Sequence, residues 1–499
     1  MMKNIIRTIL FVFTIMLFSC GHPSVPDNAK SKNTLPNIFP DYTNVTVPAN
    51  ICPLNFMVKD CDEIVARLTC GSLSFTYGDG KKVMIDEEEW GELRNAAIGK
   101  SIQVEVYTQK NGDWTAWKPF TISVAQDTID PYLSYRLIQP SYVAYEDLAI
   151  VQRNLTNYTE SDIYNNRLMQ KEKEGQCINC HSYQNYKTSS MLFHARQAHG
   201  GTVIVNNGKL MKVDMKTDST ISSGVYPAWH PTANLIAFST NTTRQMFLTK
   251  DNGKIEVMDF ASDLILYDVD KCEVSNISNS STQLEVFPTW SPDGRTLYYC
   301  VADFVLNDTA KAQEHEMSQR YKEIKYSIYA RDFDVSTHRF SAPRMVFDAA
   351  ALGKSATLPR VSPDGKYIVF AIGNYGCFHI WHKEADIYML SLADGQVCPL
   401  TSLNSPLAES YPTFSSNGRW IMTESRRDDG NFTRPYIAYF DQQGRCHKAF
   451  EVPQRAPERY TLLYRSFNRP EFMKEPVTVS PKEFANTLAK DAVKAKYKP

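Results

Sequence analysis

The sequence has no excess of charge of either sign and none of the short motifs of several large enzyme classes. Its 499 residues include 54 basic and 55 acidic side chains, which give a net charge of −1. Nucleic-acid binding calls for a basic face, so this balance argues against a nucleic-acid partner. The patterns G-x-S-x-G, H-E-x-x-H and G-x-G-x-x-G are absent. The signatures of serine hydrolases, zinc proteases and dinucleotide-binding enzymes are therefore missing.

Long apolar runs are also missing. The run Ile9–Phe18 is shorter than the roughly 20 apolar residues that a helix needs to cross a bilayer. It follows Lys3 and Arg7 and ends at Ser19-Cys20, so residues 1–19 are predicted to be a signal peptide. A small residue before a cysteine resembles the lipobox of bacterial lipoproteins, although the phenylalanine before it departs from that pattern. The resemblance implies lipidation of Cys20, and an ordinary cleaved signal peptide or an uncleaved anchor is the alternative.

These features predict a location in the bacterial cell envelope. The bulk of the protein is expected on the periplasmic side, held by lipid to a membrane, with the outer membrane favoured. Residues 20–47 are expected to form a tether, since the stretch after Cys20 is polar and contains two prolines.

Residues 48–125 have the pattern of a small β-sandwich. Short strand-like runs alternate with the turn sequences Gly-Asp-Gly at 78–80 and Asn-Gly-Asp at 111–113. About 75 residues of this pattern suit a domain of immunoglobulin or fibronectin type. Residues 126–170 are expected to connect this domain to the repeat domain described next, and they are a candidate for part of that repeat domain.

A repeat follows. Each unit has an X-Pro pair and then a buried strand, and in the last three units a Gly-containing turn separates the two. The X-Pro pairs are Tyr226-Pro227, Phe287-Pro288, Leu358-Pro359 and Tyr411-Pro412. Four short strands per unit are typical of a propeller blade. The pattern resembles the TolB-type or WD-like repeat, which implies a mainly β fold with a propeller at 201–470. Six blades are expected, with seven the alternative, and residues 471–499 are expected to be a C-terminal tail.

One short motif carries chemistry. Cys177-Ile-Asn-Cys180-His181 is a C-x-x-C-H, the attachment signature of c-type cytochromes. Two thiols at this spacing can add to the two vinyl groups of one haem, and the adjacent histidine then binds the iron. A disulfide between Cys177 and Cys180, a metal site or a chance match are the alternatives. Residues 171–200 are therefore expected to be a short helical insertion that holds one covalent haem.

The sixth iron ligand is open at this point. Met191 and His194 are spaced i, i+3, so both would face the haem from one helix. His382, in a predicted loop, is the more distant candidate. Methionine would raise the reduction potential and histidine would lower it.

Together these features favour an electron carrier, or a redox or gas sensor, over an enzyme. The expected partners are a redox partner or other envelope proteins. The alternative is a TolB-like binding scaffold in which haem is structural or absent.

Overall fold

The N-terminal part of the chain forms one sheet of seven strands beside a sheet of two. The structure is a computed structural model, and it describes residues 23–139, 147–169, 175–248, 254–307 and 312–499. The strands here are β1 (Lys30–Lys32), β2 (Thr46–Val47), β3 (Phe56–Met57), β4 (Glu63–Cys70), β5 (Leu73–Tyr77), β6 (Lys82–Val83), β7 (Ser101–Lys110), β8 (Asp113–Trp117) and β9 (Phe120–Val124), and helix α1 (Glu87–Ala96) lies between β6 and β7.

The sheet order does not confirm the expected two-sheet sandwich at 48–125. The main sheet runs β1-β8-β7-β4-β5, with β9 and then β2 attached to β7, and β3 pairs with β6. Strand β7 alternates buried and more exposed residues, which gives the sheet one apolar face. Strands β1 and β2 lie within residues 20–47, the segment expected to be a tether.

The rest of the chain forms six sheets of four or five strands, which are the blades of a six-bladed β-propeller. The first blade begins with β10 (Tyr132–Ile138), β11 (Ala149–Asn154) and β12 (Glu160–Asn165). The next five blades follow in chain order: β13 (Gln176–Gln184), β14 (Lys187–Gln197), β15 (Gly201–Asn206) and β16 (Lys209–Asp214); β17 (Val225–Trp229), β18 (Leu235–Phe247), β19 (Ile255–Asp268) and β20 (Glu273–Asn276); β21 (Gln283–Trp290), β22 (Thr296–Asp303), β23 (Ser327–Asp334), β24 (Arg339–Phe340) and β25 (Arg344–Phe347); β26 (Ser355–Val361), β27 (Tyr367–Gly373), β28 (Asp386–Ser391) and β29 (Val397–Pro399); β30 (Glu409–Phe414), β31 (Trp420–Ser425), β32 (Arg434–Tyr439) and β33 (Phe450–Glu451).

Strand β34 (Ser466–Met473) closes the propeller. It pairs with β10, so the first blade takes its inner strand from the C-terminal end of the chain and its other strands from before the second blade. All eight residues of β34 are buried. Residues 126–170, expected to connect the two domains and a candidate for part of the propeller, contain three strands of this blade, and residues near 470 complete it.

Every inner strand carries the same backbone irregularity. One residue per blade has φ near +50°, and the strand pairing shifts register at that point. These residues are Cys180, Tyr226, Phe287, Leu358, Tyr411 and Arg469. The shift is a β-bulge, which reverses the side-chain alternation along the strand. Five of the six are followed by proline, and Cys180 is followed by His181. Proline has no backbone N–H, and a bulge tolerates it because no ladder hydrogen bond is needed from that position.

The N-terminal sheet packs on the first and sixth blades. Its inner face shares one apolar core with Tyr135 and Phe467 of the first blade and with Trp420 and Phe450 of the sixth. The Trp420 indole N–H also donates to the carbonyl oxygen of Thr128, 2.9 Å away. The sheet therefore covers the seam at which β34 closes the ring.

Three further helices lie outside the blades: α2 (Gln313–Arg320), α3 (Arg459–Leu462) and α4 (Pro481–Leu488). Helix α2 belongs to the insertion between β22 and β23. Helix α4 begins with a capping box formed by Ser480 and Glu483. The end of the chain adds β35 (Val493–Lys494) and β36 (Lys496–Tyr497) to the outer edges of the second and third blades.

The turns after the inner strands provide a test of the repeat packing. Gly294 and Gly365 occupy equivalent Ser-Pro-Asp-Gly turns with φ of +72° and +71°. A Cβ at Gly294 would overlap the ring of His230, whereas a Cβ at Gly365 meets nothing closer than 3.8 Å. We expect Gly365→Ala to lower the free energy of unfolding by about 1 kcal/mol, from the positive φ alone. Gly294→Ala should cost about 3 kcal/mol because a clash is added. Urea denaturation measures both, and equal losses would contradict this packing.

Candidate functional site

The C-x-x-C-H motif lies in the inner strand of the second blade. Residues 177–181 fall within β13, and Cys180 is the bulge residue. The pair Cys180-His181 therefore occupies the place that X-Pro occupies in the other blades. The short helical insertion expected at 171–200 is not confirmed, since the described part of this segment forms β13 and β14.

The bulge decides which side chains of the motif share a face. Cys177, Asn179 and Cys180 all line one cavity, whereas His181 does not. In the neighbouring strand β14, His194 is the register partner of Asn179 and Arg196 is the partner of Cys177. Register partners point to the same side of a sheet, so His194 and Arg196 line the same cavity.

The cavity has a volume of about 600 Å³ and opens at one end of the propeller. This volume falls within the range of small-molecule and cofactor sites. Its wall is built from the start of several inner strands and from the long hairpin β18–β19, which contributes Asn241, Thr243, Gln245 and Val257. At its inner end it meets the central channel, because Tyr226, Tyr411 and Arg469 line both.

The two motif thiols are free and close to the cavity surface. Cys180 is buried, and Cys177 is partly exposed. The side-chain amide of Asn179 lies 3.9 Å from the Cys177 sulfur. Both cysteines line the cavity.

His181 lies behind this wall, between the second blade and the first. Its side chain is fully buried, and neither ring nitrogen has a hydrogen-bond partner of normal geometry among the described residues. Burial lowers the pKa of His181 to about 3, and the positive charges of Arg469 and Arg136 act in the same direction. A hydrogen bond with the backbone of Ser134 acts in the opposite direction, and the imidazole is neutral at physiological pH, which is the form that binds metals.

The three candidate sixth ligands lie in three different environments of the fold. Met191 is fully buried in the core between the first and second blades. His382 is buried in a loop of the fifth blade, where its Nε2 lies 2.7 Å from a carboxylate oxygen of Glu256. His194 alone of the three lines the cavity. The expected i, i+3 helix of Met191 and His194 is wrong, because in strand β14 these residues point to opposite faces.

His194 is held in a defined orientation. Its Nδ1 is hydrogen-bonded to the Thr202 hydroxyl at 3.1 Å, and no hydrogen bond of Nε2 occurs among the described residues. Burial lowers the pKa of His194 to about 3, with a further contribution from Arg196. The imidazole is therefore neutral at physiological pH, which is the form that binds metals.

The long hairpin β18–β19 is held by hydrogen bonds to residues of other blades. Besides the Glu256–His382 pair, the buried Asp259 carboxylate accepts hydrogen bonds from Tyr326 at 3.0 Å and from Asn241 at 3.0 Å. Burial raises the pKa of Asp259. Because Asn241 and Val257 line the cavity, these contacts fix one of its walls.

Within the described ranges, no group of three or more His, Cys, Asp or Glu side chains is arranged to hold a metal ion. Nor does any described helix have the length and apolarity needed to cross a membrane. Cys20, the predicted lipidation site, lies outside the described residues.

Comparisons with known proteins do not assign the chain to a family. No family model matches the chain, and no curated protein matches it in sequence. Among solved structures, an oligogalacturonate lyase in complex with manganese has a TM-score of 0.35 and 9% identity, over 64% of this chain and 72% of the lyase. Prolyl oligopeptidase B from Galerina marginata has a TM-score of 0.36 and 7% identity, over 64% of this chain and 44% of that protein. The tricorn protease has a TM-score of 0.31 and 11% identity, over 77% of this chain and 34% of the protease.

Sequence reasoning missed two residues at the inner end of the cavity. Arg136 and Arg469 both line it and are both more than nine-tenths buried. A signal for Arg469 exists, since Arg469-Pro470 has the X-Pro form of the other bulges. No comparable signal marks Arg136, which lies in the middle of strand β10.

Proposed function

We propose that this protein is an exported, lipid-anchored propeller that carries one covalently attached c-type haem and serves in electron transfer or in redox or gas sensing. The observation that carries the proposal is that both cysteines of the C-x-x-C-H line one cavity of about 600 Å³. A motif matched by chance has no reason to place both cysteines beside the same space.

The residues around the cavity fit such a group in three respects. Cys177 and Cys180 would form the thioether bonds, and His194 offers a neutral imidazole from the same wall. Arg136 and Arg469, which also line the cavity, would supply positive charge to the carboxylates of a bound porphyrin. Bound haem would supply an iron that changes oxidation state or takes up a small gas. The chain's own part is to fix the macrocycle, exclude water and set the iron's ligands.

His181 is the residue whose position departs from the motif's usual arrangement. The motif assigns it as the axial ligand, but its ring lies behind the cavity wall. The two imidazoles next to the cavity are thus His181, which is buried behind its wall, and His194, which lines it. His181 and His194 would hold the iron of a bound haem, and binding through His181 would require its ring to turn toward the cavity.

Axial ligation by two histidines gives a testable spectrum. In haem-bearing protein, His194→Met should raise the reduction potential, and His194→Ala should convert a low-spin spectrum to a high-spin one. His315→Ala is the matched control, because that histidine is exposed in helix α2 and does not line the cavity. Electron paramagnetic resonance and a redox titration measure both effects. Unchanged spin state in His194→Ala would remove His194 as a ligand.

The proposed location and partners follow from the sequence. Lipid at Cys20 would hold the protein on the periplasmic side of an envelope membrane, with a redox partner or another envelope protein as its target. No nucleic-acid partner is proposed, given the balanced charge.

The proposal is tested by producing the full chain in a host that matures c-type cytochromes. We expect a visible haem spectrum that survives denaturation and acid–acetone extraction, with one haem per chain. Haem that is fully extracted would reject covalent attachment.

A second candidate is an envelope binding scaffold without haem. It is favoured by the finding that Cys180-His181 takes the place of an X-Pro bulge, so that the pair also has a structural role in the repeat. A colourless protein from the same host, in which Cys177 and Cys180 are both free thiols, would support this candidate.

A further inference from the structure

The inner end of the cavity contains an excess of buried positive charge. Arg136 of strand β10 and Arg469 of β34 line it, and each is 8% exposed. Two guanidinium groups from the seam of the propeller thus face the same space. A buried cation needs either a paired anion or strong hydrogen bonding to be tolerated.

Arg136 lacks such an anion among the described residues. One of its terminal nitrogens donates to the carbonyl oxygen of Ile178 at 3.0 Å, and its Nε has no partner. No acidic side chain lies within ion-pair distance of it in the described part of the chain. A neutral carbonyl satisfies one N–H but does not balance the charge.

The neighbouring charges do not supply the missing anion. Glu471 lies 3.5 Å from the Arg469 guanidinium, and it also pairs with Arg360. One carboxylate therefore serves two arginines. Glu424 is close enough to interact electrostatically with Arg136, but it is fully buried, and burial raises its pKa well above its usual range.

We propose that Arg136, with Arg469 beside it, forms a carboxylate-binding site at the inner end of the cavity. The shared chemistry is a carboxylate group that enters from the open end and pairs with Arg136. On an attached porphyrin this group is a propionate, and on a free ligand it is the carboxylate of a small organic acid. The site depends on the charge of the cavity and not on the thioether bonds, so it goes beyond the haem proposal and can hold if that proposal fails.

The test uses the full chain with Cys177→Ser and Cys180→Ser, which cannot attach haem. The probes are mesoporphyrin IX, its dimethyl ester and succinate, with fluorescence titration for the porphyrins and calorimetry for succinate. We expect the porphyrin diacid to bind at least about tenfold more tightly than the diester, since only the diacid offers charge-assisted hydrogen bonds. Arg136→Gln should remove most of this difference, and Arg136→Lys should restore part of it.

Arg196→Gln is the matched control. Arg196 lines the same cavity but is solvent-exposed, so its loss should change affinity much less than the loss of Arg136. Circular dichroism of Arg136→Gln checks that the propeller still folds. The unfolding temperature of the parent protein should rise with the bound acid, whereas that of Arg136→Gln should not.

The outcomes separate the two sources of the carboxylate. Porphyrin discrimination that depends on Arg136 assigns the site to propionates. Arg136-dependent succinate binding without porphyrin binding assigns it to free acids. Equal binding of diacid and diester with no effect of Arg136→Gln, or no binding of any acid, would overturn the proposal.

Discussion

A variant that ends at Arg465 should fail to form the cooperatively folded propeller. It lacks β34, the inner strand of the first blade, whose eight residues are all buried. Loss of Phe467, Phe472 and Met473 alone removes three core side chains, each worth about 2–5 kcal/mol. Their sum approaches or exceeds the 5–15 kcal/mol by which folded domains are typically stable. The N-terminal sheet also loses part of the core it packs on.

The control is a variant that ends at Lys490. It retains β34 and α4 but loses the two-residue strands β35 and β36, which pair at outer blade edges and are mostly exposed. We expect this variant to keep a cooperative thermal transition with a modestly lower midpoint. Circular dichroism and limited proteolysis compare the two. A cooperative transition in the Arg465 variant near that of the full chain would show that the ring closes without β34.

The double variant Cys177→Ser, Cys180→Ser should lose covalent haem completely while the propeller remains folded. Each sulfur is proposed to form one thioether, so each single variant should keep a weaker attachment through the other cysteine. The hydroxyl is smaller than the thiol but fits the same wall, so the unfolding temperature should change little. Haem staining after denaturing electrophoresis measures the attachment.

Cys398→Ser is the matched control for the cysteine variants. Cys398 is exposed and lies in the fifth blade, away from the cavity. It should retain the full haem stain. Equal staining of the double variant and this control would show that any haem present is held elsewhere in the chain.

The propeller could be predicted because four of its six inner strands contain the same short sequence pattern, an X-Pro pair. Tyr226, Phe287, Leu358 and Tyr411 each precede a proline, and three of these units continue into a Gly-containing turn. The bulges at Arg469 and Cys180 could not be predicted from the repeat, and each has a physical reason. Arg469-Pro470 has no hairpin after it, because the remaining strands of its blade come from β10–β12. Cys180 is followed by histidine and by a turn at Asn185 and Tyr186 that uses positive φ without glycine.

The candidate site was predicted only in part. The thiols of Cys177 and Cys180 could be found from spacing alone, and the structure adds that they share a cavity. The helix expected around Met191 and His194 was wrong because a short run such as Met191-Leu-Phe193 suits a strand buried on both faces as well as a helix. The role of Arg136 could not have been predicted, because Arg136 and Arg469 come together only when strand β10 pairs with the distant strand β34.

The sheet at the N-terminus illustrates a similar limit. The runs that became β4, β5, β7 and β9 were visible through their alternation and turns. The contribution of β1 and β2 was not, because three and two residues of polar or mixed sequence carry no periodicity. Their pairing is decided by the exposed edges of β8 and β9, to which they add in parallel.

The intact mass of the mature protein, produced with c-type cytochrome maturation and measured after denaturation, tests the central claim most directly. The proposed attachment predicts a polypeptide heavier by one haem, with the added mass on the peptide that contains Cys177 and Cys180. A polypeptide without that added mass, with these two sulfurs free or bridged to each other, would contradict it.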